Sequence, residues 1–230
     1  MKRMLAWLRQ APPCDRRCAG LRAPRPLSER PIACQRLVVL DLETSGLNLQ
    51  RDQLLAIGAV AIEDGAIDLA QQFECTLHQA GHRAGASTLI HGIAPSAVAA
   101  GREPAEALLA FMEFVGDSPL LAFHAAFDRH MLQRALRERL GYRLLPPFLD
   151  VAELAPLLCP EAPPLRGLDD WLRHFHLQAS ERHHASADAL ATAELSLILF
   201  SRARRQGLDS LAELQQRCQA RRRRQLAHSL

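Results

Sequence analysis

The chain has 230 residues, 48% of them apolar and 23% charged, a composition that fits an ordinary folded domain with room for flanking segments. Its longest apolar runs, residues 54–62 and 195–200, fall well short of the ~20 residues that a membrane-spanning helix needs, so no membrane association is expected. The net charge of +3 conceals a division: residues 1–36 carry nine basic and two acidic side chains, residues 201–230 eight and two, and the stretch between them eleven against 21, or −10.

An acidic centre suits a site that collects carboxylates around cations. Arg-rich ends suit a partner with phosphates to neutralise, and equally suit solvated tails that keep the chain soluble. The opening segment is interrupted by Trp7, Arg9 and Gln10, with no small-residue cleavage site after it, and is not expected to direct secretion. Six scattered cysteines read as reduced thiols in a cytoplasm; the spacing of Cys14, Cys18 and Cys34 matches no common zinc pattern.

In chain order, residues 11–33 hold five prolines among arginines and read as a linker. Leu37 to Leu40 predicts a buried strand and Leu54 to Ile62 a second. Asp64-Gly65 turns the chain into a third strand, Ile67 to Leu77, because Asp-Gly between apolar segments favours a tight hairpin. The period then becomes helical: Ala107, Leu108, Phe111, Met112 and Val115 recur at three- and four-residue spacing behind Pro104. Pro119 to Phe123 predicts a short strand, Ala126 to Leu140 a helix closed by Gly141, and Pro147 to Asp150 a strand entering another helix. Helices are expected over 167–175 and 185–205. Together these predict an α/β fold in which an antiparallel meander is followed by parallel strands, the mixed sheet being flanked by helices.

Asp41 and Glu43 stand two apart at the end of the first strand, so both carboxylates project to one face and can share a cation. Taken alone, they read as well as two solvent-facing acids. Asp128 sits in the first turn of a helix, where the helix dipole alone would favour an acid. Asp188 lies near the start of the last long helix, and His183 stands five residues before it in a polar stretch, so both could face one cleft. The glycine of Thr44-Ser45-Gly46 would let a ligand or another backbone come close.

Asp41-Leu42-Glu43-Thr44-Ser45-Gly46-Leu47, Phe127-Asp128 and Arg182-His183-His184-Ala185-Ser186-Ala187-Asp188-Ala189 resemble, in order and spacing, the three motifs of the DEDDh (DnaQ-like) exonuclease family, which includes the proofreading epsilon subunit of bacterial DNA polymerase III. Ile57-Gly58-Ala59-Val60 and Ile90-His91-Gly92-Ile93 extend the similarity, so that it runs from about Arg36 to Phe200. The resemblance implies an RNase H-like fold, with Asp41, Glu43, Asp128 and Asp188 holding two divalent cations, Mg²⁺ or Mn²⁺, and His183 as general base. It further implies that Thr44, Leu47 and His91 contact the terminal nucleotide. One departure is His124, where many members carry Asn.

The resemblance implies 3′→5′ hydrolysis of single-stranded ends, DNA favoured over RNA, by a free-standing enzyme or one proofreading for a DNA polymerase. The alternatives are an exoribonuclease of the oligoribonuclease or RNase T type, and a non-catalytic nucleic-acid-binding or polymerase-docking module. The expected organisation is a basic extension over residues 1–34, an exonuclease domain over 35–206 and a basic tail over 207–230.

Overall fold

A computed structural model describes residues 13–178 and 183–227. The strand β1 (Leu37–Thr44) lies at the centre of a five-stranded sheet with the order β3-β2-β1-β4-β5. It pairs antiparallel with β2 (Leu54–Glu63), which pairs antiparallel with β3 (Ala66–Thr76). The β2–β3 hairpin closes through Asp64 and Gly65, whose φ angles of 51° and 73° are both left-handed, as this tight turn demands. After α1 (Thr88–His91), α2 (Pro95–Ala99) and α3 (Pro104–Val115), the chain enters β4 (Leu120–Ala122), parallel to β1. Helix α4 (Ala125–Leu140) leads to β5 (Phe148–Asp150), parallel to β4. The helices α5 (Val151–Leu158), α6 (Leu168–His174), α7 (Ala185–Arg205) and α8 (Leu211–Ala227) follow.

Alternation along β1 divides the core in two. Leu37 and Val39 face a layer built from α5 to α8, while Val38, Leu40 and Leu42 face α3 and α4. On the first of these faces the next two positions after Val39 are Asp41 and Glu43, so the apolar stripe gives way to acids where the strand leaves the core. Beyond its buried run the strand carries Asp41 and Glu43 at its end, as expected, because its pairing with β2 continues through Asp41↔Gly58 and Glu43↔Ala56 to Thr44↔Leu54. Among the described residues, no helix is long and apolar enough to cross a membrane.

The proline-rich stretch differs from a linker. Cys18 and Ile32 are buried, Leu21 and Leu27 pack against the two core clusters, and Asp15 donates its amide to the Leu140 carbonyl at 2.8 Å. Pro31 bridges to Ser210, and the amide of Ile32 meets the Asp209 carbonyl at 2.9 Å. A few apolar residues among the prolines thus strap the segment across both layers. The basic C-terminal stretch is likewise more than a tail, since α8 buries Leu211, Leu214 and Cys218.

Gly58 decides how closely α7 approaches the sheet. A Cβ there would lie 2.1 Å from the carbonyl carbon of Ala185 and 2.2 Å from the amide nitrogen of Ser186, so the first turn of α7 rests directly on the strand backbone. Gly58→Ala should therefore lower stability by about 1–3 kcal/mol in chemical denaturation and displace the start of α7; a variant with wild-type stability would show that this contact yields freely.

Candidate active site

Gly58 pairs with Asp41 across the sheet, so the space left by its missing side chain is on the face where Asp41 points. Through that space α7 brings Asp188, one turn into the helix, to β1. The result is a cluster in which carboxylate oxygens of Asp41, Glu43 and Asp188 all lie within 4.8 Å of one another. Asp188 is buried at 6% exposure, and one of its carboxylate oxygens accepts the backbone amide of His183 at 3.2 Å.

Asp128 arrives differently. The registered pairs of β4 with β1 stop at Val39↔Leu121 and β4 ends at Ala122, so no strand covers the β4 side of β1 around Leu42. Asp128, at 5% exposure, occupies that end of the sheet, near enough to the Leu42 backbone for it to favour the ionised carboxylate. Leu42 stands between Asp41 and Glu43, which places the fourth acid against the strand that carries the first two.

Two local features set the start of α4. His124, its N-cap, has φ 63°, a left-handed conformation in which Asn, Asp and His are enriched. Its side chain is exposed, and its amide donates to Asp150 Oδ1 at 3.0 Å. The position therefore demands a backbone conformation that His supplies, as Asn would. Asp150 also caps α5 through the amide of Ala152 at 3.0 Å, tying the two helix starts together. Neither this role of Asp150 nor that of Gly58 is evident from residue type alone; Gly58 stands out in sequence as a glycine within an apolar strand and within a segment of the family resemblance, neither of which reveals the approach of α7.

Burial pushes the Asp128 carboxyl up to about 7, and the nearby charge of Asp150 adds to the effect. Burial likewise raises Asp150 above the usual carboxylate range. Asp128 thus resists ionisation where it stands. The donor set, all oxygen and all acidic, fits hard divalent cations.

The remaining expected residues take distinct places. His183 has φ 65° and an exposed side chain, joined to the cluster through its amide on Asp188. His184 is engaged elsewhere, with Nε2 3.4 Å from Glu74 and Nδ1 3.0 Å from Ser186 Oγ. Thr44 is buried and donates its hydroxyl to the Gly46 carbonyl at 2.8 Å, whereas Leu47 is 84% exposed. His91 is buried, its Nδ1 accepting the Ile93 amide at 3.0 Å, and burial lowers its basicity. Its segment is joined to the β1 loop, because Ser87 Oγ donates to the Ser45 carbonyl at 3.0 Å.

The sequence matches the model of the Exonuclease family over residues 38–196. It is 32% identical over 165 residues to a PolC-type DNA polymerase III of Clostridium perfringens, covering 72% of this chain and 11% of that one. The PolC-type polymerase of Bacillus subtilis is 29% identical over 180 residues, covering 77% and 12%. This chain therefore spans only a small part of the length of those polymerases. Among solved structures, the zinc-bound complex of E. coli exonuclease I with single-stranded DNA superposes with a TM-score of 0.66 at 19% identity, over 74% of this chain and 41% of that one. Exonuclease X in complex with 5′-overhanging duplex DNA gives 0.57 at 20%, over 72% and 91%. The chain belongs to the exonuclease family, and its fold is that of the DnaQ-like 3′→5′ exonucleases.

If Asp128 helps to hold a cation, its raised carboxyl makes cation binding and pH interdependent. In the metal-free protein its protonated form is favoured by folding, so the stability it contributes is full below about pH 4 and is lost as pH rises through about 7. A cation favours the ionised form, and binding near pH 5.5 must first displace that proton. The rise in Tm caused by Mg²⁺ or Mn²⁺ should therefore be larger near pH 8 than near pH 5.5, and Asp128→Asn should reduce the difference. An equal rise at both pH values in the wild-type chain would contradict this account.

Proposed function

We propose that this chain removes nucleoside monophosphates from the 3′ ends of single-stranded DNA, using two divalent cations, Mg²⁺ or Mn²⁺, and His183 as general base. The observation that carries the reading is the convergence of Asp41, Glu43 and Asp188 within 4.8 Å, with Asp128 buried beside the same strand. Those four side chains would hold the cations. Bound there, the cations supply neutralisation of phosphate charge and activation of water.

The chain's own groups do the rest. His183, exposed where the loop meets α7, takes the proton from the attacking water, a task for which an imidazole is suited near neutral pH. The adjacent His184 is held by Glu74 and Ser186, which favours His183 for that role. Thr44, next to the two strand acids, positions the terminal nucleotide. Leu47, projecting from the following loop, packs against its base and holds it unstacked. His91 supports this pocket from the segment that Ser87 joins to Ser45.

The curated relatives are polymerases, which favours DNA over RNA and a cytoplasmic setting in which the enzyme works alone or beside a polymerase. Digestion of end-labelled DNA and RNA oligomers with Mg²⁺, Mn²⁺ or chelator tests the reading. Single-stranded DNA should shorten from its 3′ end only with metal. Asp41→Ala should abolish the activity, and His183→Ala should retain binding while turning over ~100-fold or more slowly. Preferential digestion of RNA would select the exoribonuclease alternative, and no digestion of either would leave a binding module. Near-normal turnover by His183→Ala would remove the histidine from its role.

A further inference from the structure

Helix α8 lies beyond the region that the family model matches, which ends at residue 196. Leu211, Leu214 and Cys218 seat its first half on the core, while every residue from Arg222 to Ala227 is exposed. The helix runs towards the catalytic end of the molecule. It starts beside the N-terminal strap, through the Pro31–Ser210 bridge, and further along Arg221 donates to the Pro156 carbonyl and Arg222 pairs with Glu153 near the start of α5. That start follows directly on Asp150, the residue that fixes the N-terminus of α4.

Between α8 and the first turn of α4 is a cleft of about 220 Å³, lined among others by Ala126, Arg129, Asp150, Gln219 and Arg222. Arg129 is exposed and immediately follows Asp128. Of the acids in the cleft, Glu153 is matched by Arg222, and Asp150 is turned into the amides of His124 and Ala152. The cleft thus leads from Arg129, beside Asp128, to the end of α8, where Arg223 and Arg224 are exposed just beyond Arg222.

We propose that the cleft and the projecting end of α8 form a track for the phosphate backbone of the substrate strand, leading from the site of hydrolysis towards its 5′ side. The track serves the exonuclease site proposed above and rests on that reading. Two features select a nucleic-acid strand over an acidic protein. Arg129, which lines the cleft, adjoins Asp128, and a strand whose 3′ end lies among the four acids must leave past one of the elements that surround them. Phosphates can be held there without regard to base, which suits a track along which a shortening strand advances.

Binding of labelled single-stranded DNA of increasing length, measured by anisotropy in chelator, separates this proposal from the catalytic reading. The triple variant Arg129→Gln, Arg223→Gln, Arg224→Gln leaves untouched the two arginines that dock α8. It should bind long oligomers about tenfold more weakly, bind the shortest ones as the wild type does, and flatten the logarithmic salt dependence by about 2, at ~0.7 for each phosphate that is no longer neutralised. A thermal melt checks its fold. As a second measurement free of variants, a photoreactive thymidine placed internally in the strand should cross-link to α8 peptides of the wild type. Unchanged affinity and salt slope in the folded variant, or cross-links confined to other elements, would overturn the track. Wild-type protein that binds in this manner but hydrolyses nothing with metal would instead overturn the catalytic reading alone.

Discussion

Like charges held close together are the constraint around which this molecule is built. Two carboxylates about 5 Å apart repel by roughly 3 kcal/mol at an effective dielectric near 20, and a domain of this kind is stable by only about 5–15 kcal/mol. Gathering three such groups within 4.8 Å, with a fourth buried against the same strand, is therefore costly unless cations offset the repulsion. The upward shift of Asp128 has a separate origin, burial first and then the nearby charge of Asp150, and adds to that cost. A structural role for the acids would be better served by amides or by apolar side chains, which supports the proposal that they hold positive ions.

The surrounding fold supplies the force that holds the acids in place. Apolar layers on both faces of β1 clamp the strand, and Asp41 and Glu43 stand where it emerges from them. The absent side chain of Gly58 admits the first turn of α7 and with it Asp188. The early end of β4 leaves room for Asp128, and Asp150 locks the starts of α4 and α5 to each other. Each device is backbone geometry fixed by packing, which is what a site of closely spaced charges requires for a single arrangement.

Much of this was legible in the sequence, because hydrophobic period and turn chemistry are local. The Asp-Gly hairpin, α3 with its first-turn proline, and α4 closed by Gly141 all follow from residues within one or two turns. The acids were recognisable through motif spacing, although no single one distinguishes itself from a surface carboxylate. What escaped depends on distant partners. Gly58 matters because of Ala185, and Asp150 because of His124. The strap holds through its contacts with Asp209, Ser210 and Leu140, and α8, rich in arginine, is organised by the three residues it buries. Prolines concealed the strap, whose few buried side chains carry no clear period, while α8 offers only Leu211, Leu214 and Cys218 at helical spacing among its arginines.

The position of the cations is the most direct measure of whether the four acids act as one centre. Anomalous diffraction from a crystal of the chain grown with Mn²⁺ should show two adjacent peaks in contact with oxygens of Asp41, Glu43, Asp128 and Asp188. Manganese bound elsewhere on the surface, with these four carboxylates lacking metal at saturating concentration, would contradict the account at its foundation.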